Sequence, residues 1–128
     1  MKKRGILHPQ INLLLSRTGH TDYFTICDRG FPVPDGPERI DLALIDDLPT
    51  ALDVLQAVAA EYEIDRVVIT QEMVEVSPRR VDDLRELLGD IPLQVVSHLD
   101  LKRLAQTAKA TIRTGDTCPY ANLIVVSG

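Results

Sequence analysis

Residues 66–97 read RVVITQEMVEVSPRRVDDLRELLGDIPLQVVS, and this stretch decides the fold class. Arg66 to Thr70 is a β-branched run of the kind that forms a buried strand. Ser77-Pro78 then opens a helix with Val81, Leu84, Leu87 and Leu88 on its apolar face, and Gly89 closes it. Leu93 to Ser97 is another strand. Strand, helix and strand in succession form the repeating unit of an α/β domain.

The alternation continues in both directions. Downstream, Ser97 and Asp100 resemble a capping pair for a helix bearing Leu101, Leu104, Ala105 and Ala108, which puts His98 at a strand-to-helix junction. Ala110 to Arg113 and Leu123 to Val126 read as the last two strands, joined by a polar connection. Upstream, Pro49 suits the first turn of a helix running to about Tyr62, with Leu52, Leu55, Val58, Ala59 and Tyr62 on one face. Arg39 to Leu44 alternates, with Ile40, Leu42 and Leu44 predicted on one face of a half-buried strand. Asp28 to Gly36 is a loop stiffened by Pro32 and Pro34, and Tyr23 to Cys27 is a short buried strand. Residues 10–18 form a first helix that Gly19 stops, leaving His20 just beyond its end. The expectation is a single α/β domain over residues 1–128. Its sheet is mixed or largely parallel, with helices on both faces.

Composition narrows the function. A net charge of -5 argues against a nucleic-acid or anionic-membrane surface, and Lys2-Lys3-Arg4 reads as a solvated terminus. No apolar run approaches the ~20 residues that span a bilayer, and no signal peptide is evident, so a cytoplasmic protein is expected. Cys27 and Cys118 are far apart and lack a Cys-x-x-Cys spacing, so they are expected to be small buried side chains rather than metal ligands or a disulfide. No metal site is expected, since no His-x-x-x-His, His-Glu-x-x-His or Glu-x-x-His pattern occurs. A phosphate-binding Gly-rich loop is absent too.

The chemistry-bearing residues cluster around two stretches. Gly19-His20-Thr21-Asp22 and Cys27-Asp28-Arg29-Gly30-Phe31-Pro32-Val33-Pro34 place a histidine and two acids around one strand. Histidine exchanges protons near neutral pH, and a carboxylate orients it or holds a hydroxyl. In open α/β sheets ligands bind at the carboxyl ends of strands, and Asp28 and His98 both follow predicted strands while Tyr120 precedes the last one. With His20 and Asn122 they offer donors and acceptors for a polyhydroxyl ligand, and the Tyr120 ring suits an apolar sugar face. Each also has a plainer reading: His20 as a hydrogen-bonded loop residue, Asp22 as a turn residue, Asp28 as a brace for its loop, His98 as part of a helix entry, Tyr120 as a buried ring, Asn122 as a turn amide. Spacing alone leaves both readings open.

Five motifs in order carry a resemblance over essentially the whole chain: the two just quoted, then Arg39-Ile40-Asp41-Leu42-Ala43-Leu44, Ile112-Arg113-Thr114-Gly115-Asp116 and Pro119-Tyr120-Ala121-Asn122. They resemble the D-ribose pyranase family, sugar mutarotases related to the L-fucose mutarotases. The resemblance implies His20 as proton donor and Asp28, His98, Tyr120, Ala121 and Asn122 as sugar-binding residues. It also implies no cofactor, a monosaccharide substrate, D-ribose in the first instance, and a ring-like homo-oligomer with sites near subunit boundaries. One departure from the family pattern is the middle of the chain, where Thr70-Gln71-Glu72-Met73 and the segment from Gly89 to Leu93 are more compact. The implied activity is interconversion of β-D-ribopyranose and β-D-ribofuranose through the open chain. A mutarotase for L-fucose or another sugar, a non-catalytic sugar-binding subunit and a metal-dependent sugar isomerase are the alternatives.

Overall fold

The computed structural model describes residues 1–128 as eleven elements around one six-stranded sheet. In chain order they are α1 (Pro9–Arg17), β1 (Tyr23–Cys27), β2 (Glu38–Asp41), α2 (Ala51–Ala59), β3 (Ile64–Thr70), α3 (Gln71–Val76), α4 (Pro78–Leu88), β4 (Leu93–Val96), α5 (His98–Ala105), β5 (Ala110–Arg113) and β6 (Leu123–Ser127). The strand order is β2-β5-β1-β6-β3-β4. β5 pairs in parallel with β2 and β1, and β3 with β4, whereas β6 is antiparallel to both β1 and β3. Five strands therefore run one way and β6 alone runs back between them.

The pleat sends alternate side chains to two separate cores. Phe24 and Ile26 of β1, Leu123 and Val125 of β6, and Val67 and Ile69 of β3 face a larger core closed by Ile11 and Leu14 of α1, Val54, Leu55 and Val58 of α2, and Val81, Leu84 and Leu88 of α4. Cys27, Val68, Ile124 and Val126 point the other way, against Leu101 and Ala105 of α5 and Phe31 of the proline-rich loop. Helices thus cover both faces, as the sequence pattern requires.

Several boundaries differ from the sequence reading. β2 ends at Asp41 because the Asp41 carboxylate turns back to accept the Ala43 amide (3.1 Å), so Leu42 is only partly buried and Leu44 is exposed. Pro49 precedes α2 rather than opening it. Thr50 is the N-cap, in a reciprocal capping box with Asp53, and the helix stops at Ala59. Thr18, in extended conformation, caps α1, so Gly19 is not the stop. Gly89 does close α4, with a left-handed φ of 58°. α3 falls between two expected elements. Cys27 is fully buried, but Cys118 is only partly so.

Candidate functional site

The carboxyl ends of β1, β3, β4 and β5 lie along one edge of the sheet, and the start of β6 lies there too, because β6 runs against β1 and β3. A cleft of about 330 Å³ opens at that edge, lined by Asp28, Phe31, His98, Lys102, Tyr120 and Asn122, with Gly30, Pro32 and Pro119 completing its rim. This is at the small end of the roughly 300–1,000 Å³ range of small-molecule sites.

Asp28 and Asn122 meet across the β1–β6 boundary. The Asp28 amide donates to the Asn122 side-chain oxygen (2.8 Å), and an Asp28 carboxylate oxygen accepts the Gly30 amide (3.0 Å). Asn122 is buried, its side-chain oxygen is spent on the scaffold, and the residue lines the cleft. Burial pushes the Asp28 carboxyl above its ordinary value, against hydrogen bonds from Gly30, Asn122 and Phe31 that pull it down.

His98 is the first residue of α5, immediately after the Ser97 N-cap, whose hydroxyl accepts the Asp100 amide (3.0 Å). Its ring stands between two aromatic edges: Tyr120 at a centroid distance of 5.2 Å and 83°, and Phe31 at 6.3 Å and 82°. Nδ1 is buried without a hydrogen-bond partner. Burial, then the Lys102 ammonium one turn along the helix, lowers the imidazole below its ordinary 6.5, with Glu72 and Asp28 acting the other way. The neutral form of His98 is therefore favoured, with one ring nitrogen able to donate and the other to accept.

Tyr120 holds a left-handed φ of 59°, which a non-glycine residue keeps only where its surroundings over-determine it. They do so here. Pro119 offers its carbonyl to the Ser77 hydroxyl (2.7 Å), and the Ala121 amide donates to the Cys118 carbonyl (3.2 Å). Upstream, the buried Asp116 carboxylate pairs with Arg80 (2.5 Å) and accepts the amides of Ala51 (2.8 Å) and Cys118 (2.9 Å). The Thr114–Asn122 connection is consequently a fixed arm, and it aims Tyr120 at His98.

Two residues expected at the site stand elsewhere. Ala121 is buried and outside the cleft lining, so it would meet a ligand only through its backbone. His20 lies at the opposite edge of the sheet: the neighbouring Thr21 amide donates to the Ser127 carbonyl (3.0 Å), at the far end of β6, and the His20 side chain is exposed. Asp22 acts locally, as its turn reading expects, accepting the Gly19 amide (3.0 Å). In turn, the sequence reading passed over Lys102 and Phe31. Lys102 was accessible from helical spacing, since it lies four residues after His98 and shares its face. No three His, Cys, Asp or Glu side chains converge as a metal-binding group. No helix is long and apolar enough to cross a membrane.

A cleft at the carboxyl edge of the sheet, with an imidazole, a carboxylate, an amide, an ammonium and a tyrosine, defines a small-ligand-binding α/β protein suited to polyhydroxyl compounds. The comparisons with known proteins agree. The chain belongs to the RbsD / FucU transport protein family, whose model matches residues 1–128. A protein of Geobacillus kaustophilus (strain HTA426) named D-ribose pyranase is 44% identical over 128 residues, which cover 100% of this chain and 94% of that one. A D-ribose pyranase of Clostridium novyi (strain NT) is 43% identical, over 100% and 98%. Among solved structures, Bacillus subtilis RbsD complexed with D-ribose is 38% identical, with a TM-score of 0.95 over 100% of this chain and 98% of that one. FucU from Bifidobacterium longum shares the fold, with a TM-score of 0.84 at 19% identity over 95% of each chain.

Proposed function

We propose that this chain is an isomerase that interconverts the pyranose and furanose forms of D-ribose through the open-chain aldehyde. The observation that carries this reading is the end-to-end match in sequence and backbone to a protein solved with D-ribose bound, together with a cleft whose polar groups suit a pentose. Ring opening breaks the bond between the anomeric carbon and the ring oxygen. The ring oxygen gains a proton, the anomeric hydroxyl loses one, and a different hydroxyl then adds to the aldehyde to close the smaller ring. No electrons are exchanged with a second molecule. His20 is the proton donor to the ring oxygen, a contribution typically worth about 10²–10⁴-fold. Asp28, His98, Tyr120 and Asn122 hold the hydroxyls so that the correct ring oxygen is presented, with Ala121 contributing backbone.

Asp22 to Asp28 spans six residues of extended chain, about 20 Å at roughly 3.3 Å per residue, so one chain does not bring His20 to its own cleft. The reading therefore requires a second copy whose His20 edge meets this cleft. Such a contact joins two different surfaces, and repeated head to tail it forms a ring where the rotation between neighbours closes. Leu44, Ile45 and Leu48, exposed beyond the carboxyl end of β2, support it, since a contiguous apolar surface is of the kind a subunit covers. Two unpaired cysteines, one partly exposed, suit a reducing compartment, and we place the reaction in the cytoplasm.

Magnetisation exchange between the ring forms of ribose tests the reading. The wild-type protein should raise the exchange rate above that of buffer, and His20→Ala should return it to the buffer rate. Full activity in that variant would remove His20 from the mechanism. Tight ribose binding by the wild type without any faster exchange would make the protein a binding subunit instead.

A further inference from the structure

We propose that Glu72 is a positioning residue for the sugar cleft: its carboxylate holds the first amide of α5 and so sets the His98 ring. The inference rests on the reading of that cleft as the ribose site. Both Glu72 carboxylate oxygens lie 3.1 Å from the His98 backbone nitrogen. The two residues are 26 apart in the chain, so this is a tertiary clamp and not a local cap. The local cap is used for another amide, since the Ser97 hydroxyl accepts from Asp100.

Glu72 is itself held firmly. β3 passes directly into α3, with Thr70 as the last strand residue and the helix N-cap, its hydroxyl accepting the Met73 amide (3.0 Å). Met73 is fully buried in the larger core. Thr70 and Met73 fix the backbone around Glu72, and its carboxylate reaches across the end of the sheet to the start of α5. The compact Thr70-Gln71-Glu72-Met73 segment thus connects the larger core to the cleft.

The clamp matters because nothing else fixes the His98 ring by a directional bond. Nδ1 has no partner, and the contacts with Phe31 and Tyr120 are edge-on packing. The ring inherits its position from its backbone, and its backbone is anchored by Glu72. A carboxylate at a helix N-terminus is also favoured by the helix dipole. The ionisable groups facing His98 are Glu72 from α3, Lys102 from α5, Asp28 from the end of β1 and Tyr120 from the arm.

The test compares Glu72→Ala with Glu72→Gln, with His98→Asn alongside, in the full chain. Ribose affinity is read by titration, and the ring placement by the chemical shifts of the His98 carbon-bound protons, which the Tyr120 and Phe31 ring currents displace. Glu72→Ala should weaken ribose binding about fivefold to tenfold and move those shifts toward free imidazole. Glu72→Gln keeps an oxygen for the amide, so affinity and shifts should return close to wild type. A mere loss of fold stability would not be repaired in the shifts by that pattern. The inference is overturned if Glu72→Ala leaves affinity and His98 shifts unchanged, or if Gln fails to rescue a well-folded protein. If His98→Asn leaves ribose binding intact, the reading of the cleft fails and the inference with it. If His98→Asn weakens binding and Glu72→Ala does not, the inference alone fails.

Discussion

Mixing two inactive variants should restore activity, because the proposed site takes its proton donor from one subunit and its sugar-holding groups from the next. His20→Ala and Asp28→Asn form the pair. Neither should harm the fold: His20 is exposed, where substitutions cost within about 0.5 kcal/mol, and the amide side chain introduced by Asp28→Asn retains an oxygen for the Gly30 amide. Each variant alone should run near the buffer rate. In the His20→Ala protein every donor is missing. In the Asp28→Asn protein every cleft lacks its carboxylate. When the two are unfolded and refolded together at equal concentration, a site is intact only if its cleft comes from the first variant and its histidine from the second. Random assembly makes that about one quarter of all sites, so about a quarter of the wild-type exchange rate should return. The rate should vary with the product of the two mole fractions, peaking at the equal mixture. Magnetisation exchange on ribose reads it directly. The separation of about 20 Å across β1 leaves no route for a chain to complement itself, since proton transfer needs heavy atoms about 3 Å apart or one water between them. A mixture that stays at the buffer rate after proven subunit exchange would refute the shared site.

Three further outcomes are expected. Asp116→Ala strands the mostly buried Arg80 guanidinium and two amides, and should cost about 3–5 kcal/mol in urea unfolding; a loss below about 1 kcal/mol would contradict that role. Gly115→Ala would put a Cβ 2.2 Å from the Ile45 carbonyl oxygen, so it should destabilise by about 1–3 kcal/mol in thermal melting and displace the Leu44–Leu48 loop; an unchanged melting temperature would show that the loop yields freely. The His98 imidazole is held below its ordinary 6.5, so the folded state takes up its proton less readily than the unfolded one. The stability it contributes is present above pH 6.5 and is lost as pH falls through the depressed folded value. Urea midpoints should therefore decline on acidification below about 6.5, less so in His98→Asn, and the opposite slope difference would reverse the assignment.

Elements whose side chains alternate or repeat over their full length were legible from the sequence. β1 and β6 are buried almost throughout, and α4 has a clean apolar face with Pro78 at its start and Gly89 after it. What failed to read were places where a side chain outcompetes the pattern. The alternation of Ile40, Leu42 and Leu44 would continue β2, but the Asp41 carboxylate captures the Ala43 amide and ends the strand. α3 has six residues, too few for a 3.6-residue period to show, and its identity depends on the Thr70 cap. Glu72 was therefore hidden, since its partner amide is 26 residues away. His20 and Asp28 posed the opposite difficulty. They are near in sequence with one strand between them, and an extended strand is the element that carries neighbours in sequence furthest apart in space.

The direction of β6 explains why the remaining site residues nevertheless converge. Asp28 follows β1 and His98 follows β4, so both stand at the carboxyl edge of the parallel strands. Tyr120 and Asn122 precede their strand. In a wholly parallel sheet they would stand at the amino edge, beside His20 and away from Asp28. Pairing Ile26 with Leu123 and Tyr23 with Val126 reverses this, and brings the start of β6 against the end of β1, where Asn122 receives the Asp28 amide. The same reversal carries Ser127 to the Thr21 loop at the far edge. The antiparallel β6 thus assembles the proposed sugar-holding half of the site within a chain, while β1 leaves His20, the proposed proton donor, at the other end, so the topology that builds the cleft is also what makes the proposed enzyme depend on a neighbour.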